Sequence, residues 1–179
     1  MLGKRDIIEP EHIIVNKNRS QMIGLRSKNE ETHLIQLRNK EKKYICDKIN
    51  IYTQLVNQNE DFQMYGIQCI RIFSKGKEIH SCGSTKNLSK AKSIWLNEDV
   101  TILSLGIANT KKKIINKLEI DLKEKHKITT VAVGAEEVKP NEHLKAPANK
   151  IVAGFYVTFR KSNKLESWLN TIGFLYDYI

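Results

Sequence analysis

Residues 66–82 read GIQCIRIFSKGKEIHSC. In the first half of this stretch apolar residues recur at about every second position, which is typical of a half-buried β-strand. The polar segment 74–77 predicts a tight turn, because Gly76 can take the positive φ that short hairpin turns require. We therefore expect a β-hairpin whose strands are residues 66–74 and 77–82.

Short alternating segments continue on both sides of this hairpin, and polar turn residues separate them at regular spacing. Such spacing is typical of an all-β sandwich, barrel or prism. The stretch from Lys111 to Lys123 is the main one that a helix would also fit. A longer loop is expected from Gly134 to Asn149. The further predicted strands are residues 45–52, 91–97, 99–108, 114–123, 128–133, 150–160 and 168–179.

The first 43 residues differ from the rest, because they are polar and charged with only short apolar islands. Islands of two or three apolar residues are too short to build a core. We therefore expect an extended basic arm over residues 1–43, followed by one folded domain over residues 44–179. Such an arm must dock on its own domain or on a partner to be ordered, and the sequence leaves both open.

The chain of 179 residues carries 30 Lys and Arg against 20 Asp and Glu, for a formal net charge of +10. This excess attracts polyanions but does not choose among nucleic acid, an anionic membrane and an acidic protein. No helix-turn-helix, zinc finger or aromatic–basic RNA-binding motif is visible, so specific nucleic-acid binding is not expected. No apolar stretch approaches the roughly 20 residues that span a bilayer, so no membrane partner is expected.

The compartment is predicted from the beginning of the sequence and from the cysteines. Acidic residues and Pro10 interrupt the first apolar residues, which argues against a secretory signal. The three cysteines, Cys46, Cys69 and Cys82, form no C-x-x-C pair and lie among predicted strands, so we expect small buried hydrophobes rather than disulfides or a zinc site. We expect a cytoplasmic protein that is not secreted.

Motifs for catalysis were sought and none was found. The five histidines are scattered without metal-binding spacing, and there is no P-loop, G-x-S-x-G or G-x-G-x-x-G. The sequence therefore predicts no catalytic residues, no metal and no cofactor, and the protein is expected not to be an enzyme.

The order of the predicted strands resembles that of jacalin-like lectin domains. The motifs that support this resemblance all lie from Tyr44 onward. They are Gln68–Phe73 with Gly76, Lys92–Val100, Ile115–Ile120, Ile151–Phe155 and Trp168–Gly173. Each motif is weak alone, and their order and spacing are more specific. The resemblance implies a β-prism of three Greek-key sheets around a pseudo-threefold axis, spanning residues 44–179.

Members of this family commonly bind mannose or galactose between a Gly-rich loop near the domain start and a C-terminal G-x-x-x-D loop. Here the family Asp corresponds to Asn170 and the family Gly to Glu166, and no Gly-Gly pair lies near Tyr44. An amide replaces one acceptor by a donor, which suits sugar hydroxyls less well than a carboxylate does. The candidate sugar-contacting residues are Glu166, Trp168, Leu169 and Asn170.

Two functions fit these observations. The first is a non-catalytic interaction or scaffold subunit of a larger protein assembly, with an acidic polymer such as a microtubule as partner and a cytoskeletal or ciliary location by family analogy. The second is a lectin that binds mannose- or galactose-type sugars weakly. For the first function, the candidate partner-binding residues are the cations of the arm: Lys17, Arg19, Arg26, Arg38, Lys40, Lys42 and Lys43.

Overall fold

The computed structural model of the chain describes residues 18–57, 64–86, 88, 90–110, 114–161 and 167–179. These residues form twelve strands that pair in antiparallel fashion. The strands are β1 (Ile23–Gly24), β2 (Glu30–Gln36), β3 (Lys48–Asn57), β4 (Met64–Ser74), β5 (Lys77–Gly83), β6 (Lys90–Trp95), β7 (Val100–Asn109), β8 (Ile115–Glu124), β9 (Lys127–Gly134), β10 (Glu142–Lys145), β11 (Lys150–Lys161) and β12 (Ser167–Tyr178).

The strands make three sheets of four strands each. Sheet A has the order β1-β12-β11-β2, sheet B the order β5-β4-β3-β6, and sheet C the order β10-β7-β8-β9. In sheets B and C three consecutive strands pair as hairpins, and the fourth returns beside the first, which is the Greek-key order. Sheet A repeats this order with β11 and β12 from the end of the chain and β1 and β2 from its beginning. The predicted all-β prism of three Greek-key sheets is confirmed.

The hairpin predicted for residues 66–82 forms between β4 and β5. Its two turn residues, Lys75 and Gly76, have φ values of 50° and 81°. Two successive positive φ values match the twist of the flanking strands, as in a type I′ turn. The space beside Gly76 is open, so this glycine is favoured by its backbone conformation and not by crowding.

Two of the less certain stretches are settled by the sheet ladders. The stretch that a helix would also fit contains β8, which pairs with β7 and β9, while Lys111–Lys113 lie outside the described residues. The long loop predicted from Gly134 to Asn149 contains β10, a strand of four residues that pairs with β7. That part of the loop prediction is therefore corrected.

Residues 18–43 dock on their own domain instead of extending away from it. β2 pairs with β11 from Glu30 to Gln36, and β1 pairs with β12 at Ile23 and Gly24. The apolar islands of this segment are the residues that face the interior, since Ile23, Ile35 and Leu37 are 4%, 0% and 0% exposed. Residues 18–43 are therefore part of the prism, and the predicted boundary at residue 44 does not divide them from it. Residues 1–17 lie outside the described part of the chain.

The core fills the space between the three sheets. β4, β8 and β12, one inner strand from each sheet, contact one another. Their inward side chains are mostly Ile, Leu and Phe, as period-two alternation requires. All three cysteines are free and buried, as expected. Burial raises the pKa of Cys46 and of Cys82 to about 12, so these thiols stay protonated at neutral pH.

We expect Ile35→Ala to lower the free energy of unfolding by about 2–5 kcal/mol, because it opens a cavity at a fully buried position of β2. Urea denaturation would measure this loss. Ile128→Ala is the matched control: Ile128 is 60% exposed on the edge strand β9, and its truncation should change stability by less than about 0.5 kcal/mol. Equal stability of both variants would contradict the integration of β2 into the core.

Candidate functional site

Three of the predicted sugar-contacting residues lie at the beginning of β12, and all three are buried. Trp168, Leu169 and Asn170 are 2%, 0% and 0% exposed. Side chains this deeply buried present no surface on which a sugar ring could stack. The structure therefore gives Trp168 and Leu169 a packing role. Glu166 lies outside the described residues.

The side chain of Asn170 can be buried because its amide oxygen and its amide nitrogen both have hydrogen-bond partners inside the protein. Its Oδ1 accepts a hydrogen bond from Thr158 Oγ1 at 2.6 Å. Its Nδ2 donates to the backbone oxygen of Leu25 at 3.1 Å and to Glu30 Oε2 at 2.9 Å. Since both donors and the acceptor are engaged, Asn170 connects β12 to the turn between β1 and β2.

A carboxylate does lie next to Asn170, but it belongs to Glu30, the first residue of β2. Its Oε2 also accepts from the backbone N–H of Ser27 at 3.1 Å, and its Oε1 pairs with Arg26. Burial alone would raise the pKa of Glu30, but hydrogen bonds from Asn170, Ser27 and Arg26 outweigh it and lower that pKa below its ordinary value. Glu30 is therefore ionised at neutral pH.

A close approach of two backbones holds this arrangement together. Gly24, the last residue of β1, has a φ of 111°, and a Cβ there would lie 2.2 Å from the backbone oxygen of Asn170. Only glycine fits both the conformation and the space. The turn of residues 25–29 thereby folds back over the beginning of β12, and we call residues 24–30 together with Asn170 the apex of sheet A.

Four residues of the apex are exposed to solvent: Leu25, Arg26, Lys28 and Asn29. Leu25 is 45% exposed, and the side chain of Arg26 is 65% exposed. The side chain of Glu30 beneath them is 9% exposed. The apex therefore offers a small apolar surface and a guanidinium group above a nearly closed carboxylate.

The cations predicted to bind a partner divide into different environments. Arg38 is 5% exposed; its guanidinium carbon lies 3.7 Å from the Tyr44 ring centroid, and it donates to the backbone oxygens of Lys42 and Val100. Arg38 therefore stabilises its own domain instead of presenting its charge. Arg19 stacks over Tyr156 at 4.7 Å.

The remaining predicted cations are closer to solvent. Lys40 and Lys43 are exposed, and Lys42 is half-buried with a φ of 65°. A partner contact by these lysines stays a prediction. Lys17 lies outside the described residues.

Sequence reasoning missed Glu30 because the segment before residue 44 was taken as an arm. A local signal was present: the spacing Ser27-x-x-Glu30 is the one in which a Glu carboxylate reaches back to a nearby backbone N–H. That signal cannot show that the same carboxylate meets Asn170, which is 140 residues away.

Two other kinds of site were sought in the described part of the chain. No three His, Cys, Asp or Glu side chains come together there in a way that would hold a metal ion. Likewise, none of the described segments forms a helix of the length and apolarity needed to cross a membrane.

We expect Asn170→Asp to lower the free energy of unfolding by about 1–3 kcal/mol at pH 7, because it sets a second carboxylate against Glu30. Repulsion raises the folded-state pKa of the pair, so protonation relieves it, and the loss should shrink as pH falls toward 4.5, the ordinary value for Glu. Urea denaturation at several pH values would measure this.

The double variant Glu30→Gln/Asn170→Asp is the control, since it restores one carboxylate facing one amide. It should recover most of the stability at pH 7. A double variant as unstable as Asn170→Asp alone would show that the two side chains are not coupled.

Comparison with known proteins gives fold similarity without sequence similarity. No protein-family model matches the chain, and no curated protein matches its sequence. A prostate-specific WGA16 glycoprotein lectin superposes with a TM-score of 0.60 at 14% identity, covering 89% of this chain and 98% of that chain. Calystegia sepium agglutinin gives 0.58 at 11% identity, covering 90% and 96%.

Malaysian banana lectin gives a TM-score of 0.54 at 18% identity, covering 90% of this chain and 98% of that chain. At identities this low the likeness establishes the fold alone. It extends over nearly the whole length of all three lectins, and it includes the strands before residue 44. The chain thus has the β-prism fold of the jacalin-like lectins, as the order of its sequence motifs predicts.

Proposed function

We propose that this protein is a non-catalytic carbohydrate-binding module, and that the apex of sheet A binds sugar hydroxyl groups. The observation that carries this proposal is the Glu30 carboxylate, which Asn170 and Ser27 hold in a fixed position beside the turn of residues 25–29. The fold adds support, because the similar structures include proteins that are named as lectins.

The chemistry of the apex suits a polyhydroxylated ligand. An ionised carboxylate accepts charge-assisted hydrogen bonds from hydroxyl groups, which are stronger than neutral ones. In the free protein, Glu30 Oε2 is held from within by Asn170 and Ser27, whereas Oε1 faces Arg26. The oxygen that faces Arg26 is therefore the one a sugar hydroxyl would reach.

Arg26 acts as an exchangeable partner of this oxygen. Ion pairs with an exposed member contribute little to stability, so a ligand can displace the guanidinium at low cost. The exposed Leu25 then offers a surface for the apolar side of the ring. Mannose- and galactose-type sugars are the ligands to test.

The other function, an interaction subunit of a protein assembly, rested largely on a free basic arm. Over residues 18–43 that segment is part of sheet A, and Arg38 is buried. Partner binding through residues 1–17, and a cytoplasmic location, stay predictions. No comparison supports a cytoskeletal or ciliary assembly.

We expect Glu30→Gln to weaken binding of mannose or galactose oligomers about tenfold or more, because the neutral amide loses the charge-assisted bond. Arg26→Ala should bind at least as tightly as the natural chain, since it removes the group that competes for Oε1. Heteronuclear NMR titration at millimolar sugar would measure both, with Glu136→Gln, an exposed glutamate in a turn, as control.

Chemical-shift changes should cluster on residues 25–30 and on Asn170. Unchanged affinity in Glu30→Gln would contradict the proposed site. A natural chain that binds none of these sugars would contradict the proposed function at this apex.

A further inference from the structure

A second surface, on another sheet, has the composition of a ligand site. It lies on the outer side of sheet B, where β6, β3 and β4 run side by side. The ladder registers Lys48 on β3 with Trp95 on β6 and with Phe73 on β4. We call this surface the Trp95 face, and its residues are Lys48, Asn50, Tyr52, Phe73, Ser93 and Trp95.

The side chains of this face point away from the core. Their neighbours Ile49, Ile51 and Ile94 are 1%, 2% and 1% exposed and fill the interior, so strand alternation turns the Trp95 face outward. Trp95 itself is 64% exposed at the end of an edge strand. Its indole is therefore available to a ligand that offers an apolar ring face.

A cation lies between the aromatic rings of this face. Lys48 Nζ is 4.6 Å from the Phe73 ring centroid and 5.2 Å from that of Trp95. Cation–π attraction holds the ammonium group in place without neutralising it. No carboxylate of the described residues forms a salt bridge with Lys48.

The surroundings of the face leave the Lys48 charge uncancelled. Lys90 and Lys92 lie exposed on the same edge strand as Trp95, but strand alternation turns them with Ile94 to the other side of β6. Arg71, next to Phe73, pairs with Glu78, the one acidic residue that the ladder brings to this row. The face therefore keeps the Lys48 charge without an acidic partner among the described residues, and its centre is complementary to a single anionic group.

Neutral polar groups complete the face beside the rings. Ser93 Oγ donates to Asn50 Oδ1 at 2.7 Å, and Asn50 Nδ2 lies 3.4 Å from the Tyr52 hydroxyl. Hydroxyl and amide groups in a row next to an exposed indole are suited to a ligand that has both an apolar ring face and many hydroxyls.

We propose that the Trp95 face binds an acidic oligosaccharide, a chain of sugar rings that carry carboxylate or sulfate groups. One ring stacks on Trp95, its anionic group contacts Lys48, and its hydroxyls bond with Asn50 and Ser93. This inference rests on the proposed function, because it gives the same protein a second glycan class at a site on a different sheet.

Single-stranded nucleic acid is the competing ligand, since it too combines negative charge with stacking. Its binding sites usually offer several exposed rings to successive bases. Of the three aromatic rings on the Trp95 face, only that of Trp95 is exposed, and those of Tyr52 and Phe73 are half-buried. One exposed ring flanked by hydroxyl and amide groups favours a sugar.

The experiment uses the two tryptophans of the chain as reporters. Trp95 is exposed and Trp168 is 2% exposed, so a ligand on the Trp95 face should change the emission of Trp95 alone. The full chain is titrated with oligogalacturonate, with its neutral methyl ester, with a heparin hexasaccharide and with oligothymidylate. The methyl ester neutralises the carboxylates of oligogalacturonate, so these two compounds together test the role of the charge. Heparin tests whether sulfate groups are recognised.

We expect at least one acidic oligosaccharide to bind about tenfold or more tightly than the neutral ester, and its affinity to fall as NaCl rises from 50 to 300 mM, as for any charge-dependent contact. Trp95→Ala and Lys48→Met should each weaken binding about tenfold, with all variants compared by isothermal titration calorimetry because Trp95→Ala removes the fluorescent reporter. Ile79→Ala, an exposed apolar residue of β5 in the same sheet, should leave it unchanged.

Glu30→Gln separates the two sites. It should bind the acidic oligosaccharide like the natural chain, whereas Trp95→Ala should keep its affinity for mannose or galactose oligomers. If neither acidic oligosaccharide binds more tightly than the neutral ester, if oligothymidylate binds more tightly than both, or if Trp95→Ala keeps full affinity, this inference is overturned and the apex proposal stands.

Discussion

The antiparallel ladders that join the first described strands to the last ones are the interaction on which the rest of the structure depends. β11 and β12 form a hairpin that lacks two neighbours until β2 and β1 pair along its edges. Without those ladders sheet A would be reduced to two strands, and the core would lose Ile23 and Ile35. The apex exists only because the same ladders bring Gly24 against Asn170.

Most of the prism could be predicted because the strands in the middle of the chain are long and show period two. β4 and β5 read as a hairpin from Ile67, Ile70, Ile72 and the glycine of their turn alone. β1 and β10 were missed because, with two and four residues, they are too short to show a period, and β2 was missed because it lies in a charged segment. β2 begins with Glu30 and Glu31, so its sequence resembles a polar linker until β11 is placed beside it.

The apex shows why a family pattern can be read correctly and still mislead about chemistry. Asn170 departs from the aspartate of jacalin-like lectins, which by itself indicates a lost sugar site. In the folded protein the amide is complementary to the Glu30 carboxylate, so the negative charge lies on β2 and not on β12. No local pattern links these two residues, since a register between distant strands brings them together. The Trp95 face was missed for a similar reason, because Lys48 and Trp95 meet only across β3 and β6.

The division of sheet A between the two ends of the chain also governs the order in which the protein can assemble as it is synthesised. Sheets B and C consist of consecutive segments, so each can form as soon as its own residues have left the ribosome. β2 emerges early, yet its partner β11 is made more than a hundred residues later, as the register from Glu30 to Arg160 shows. Contacts between such distant residues close large loops and form slowly. During that interval the apolar side of the early segment has no permanent partner and is exposed to non-native contacts.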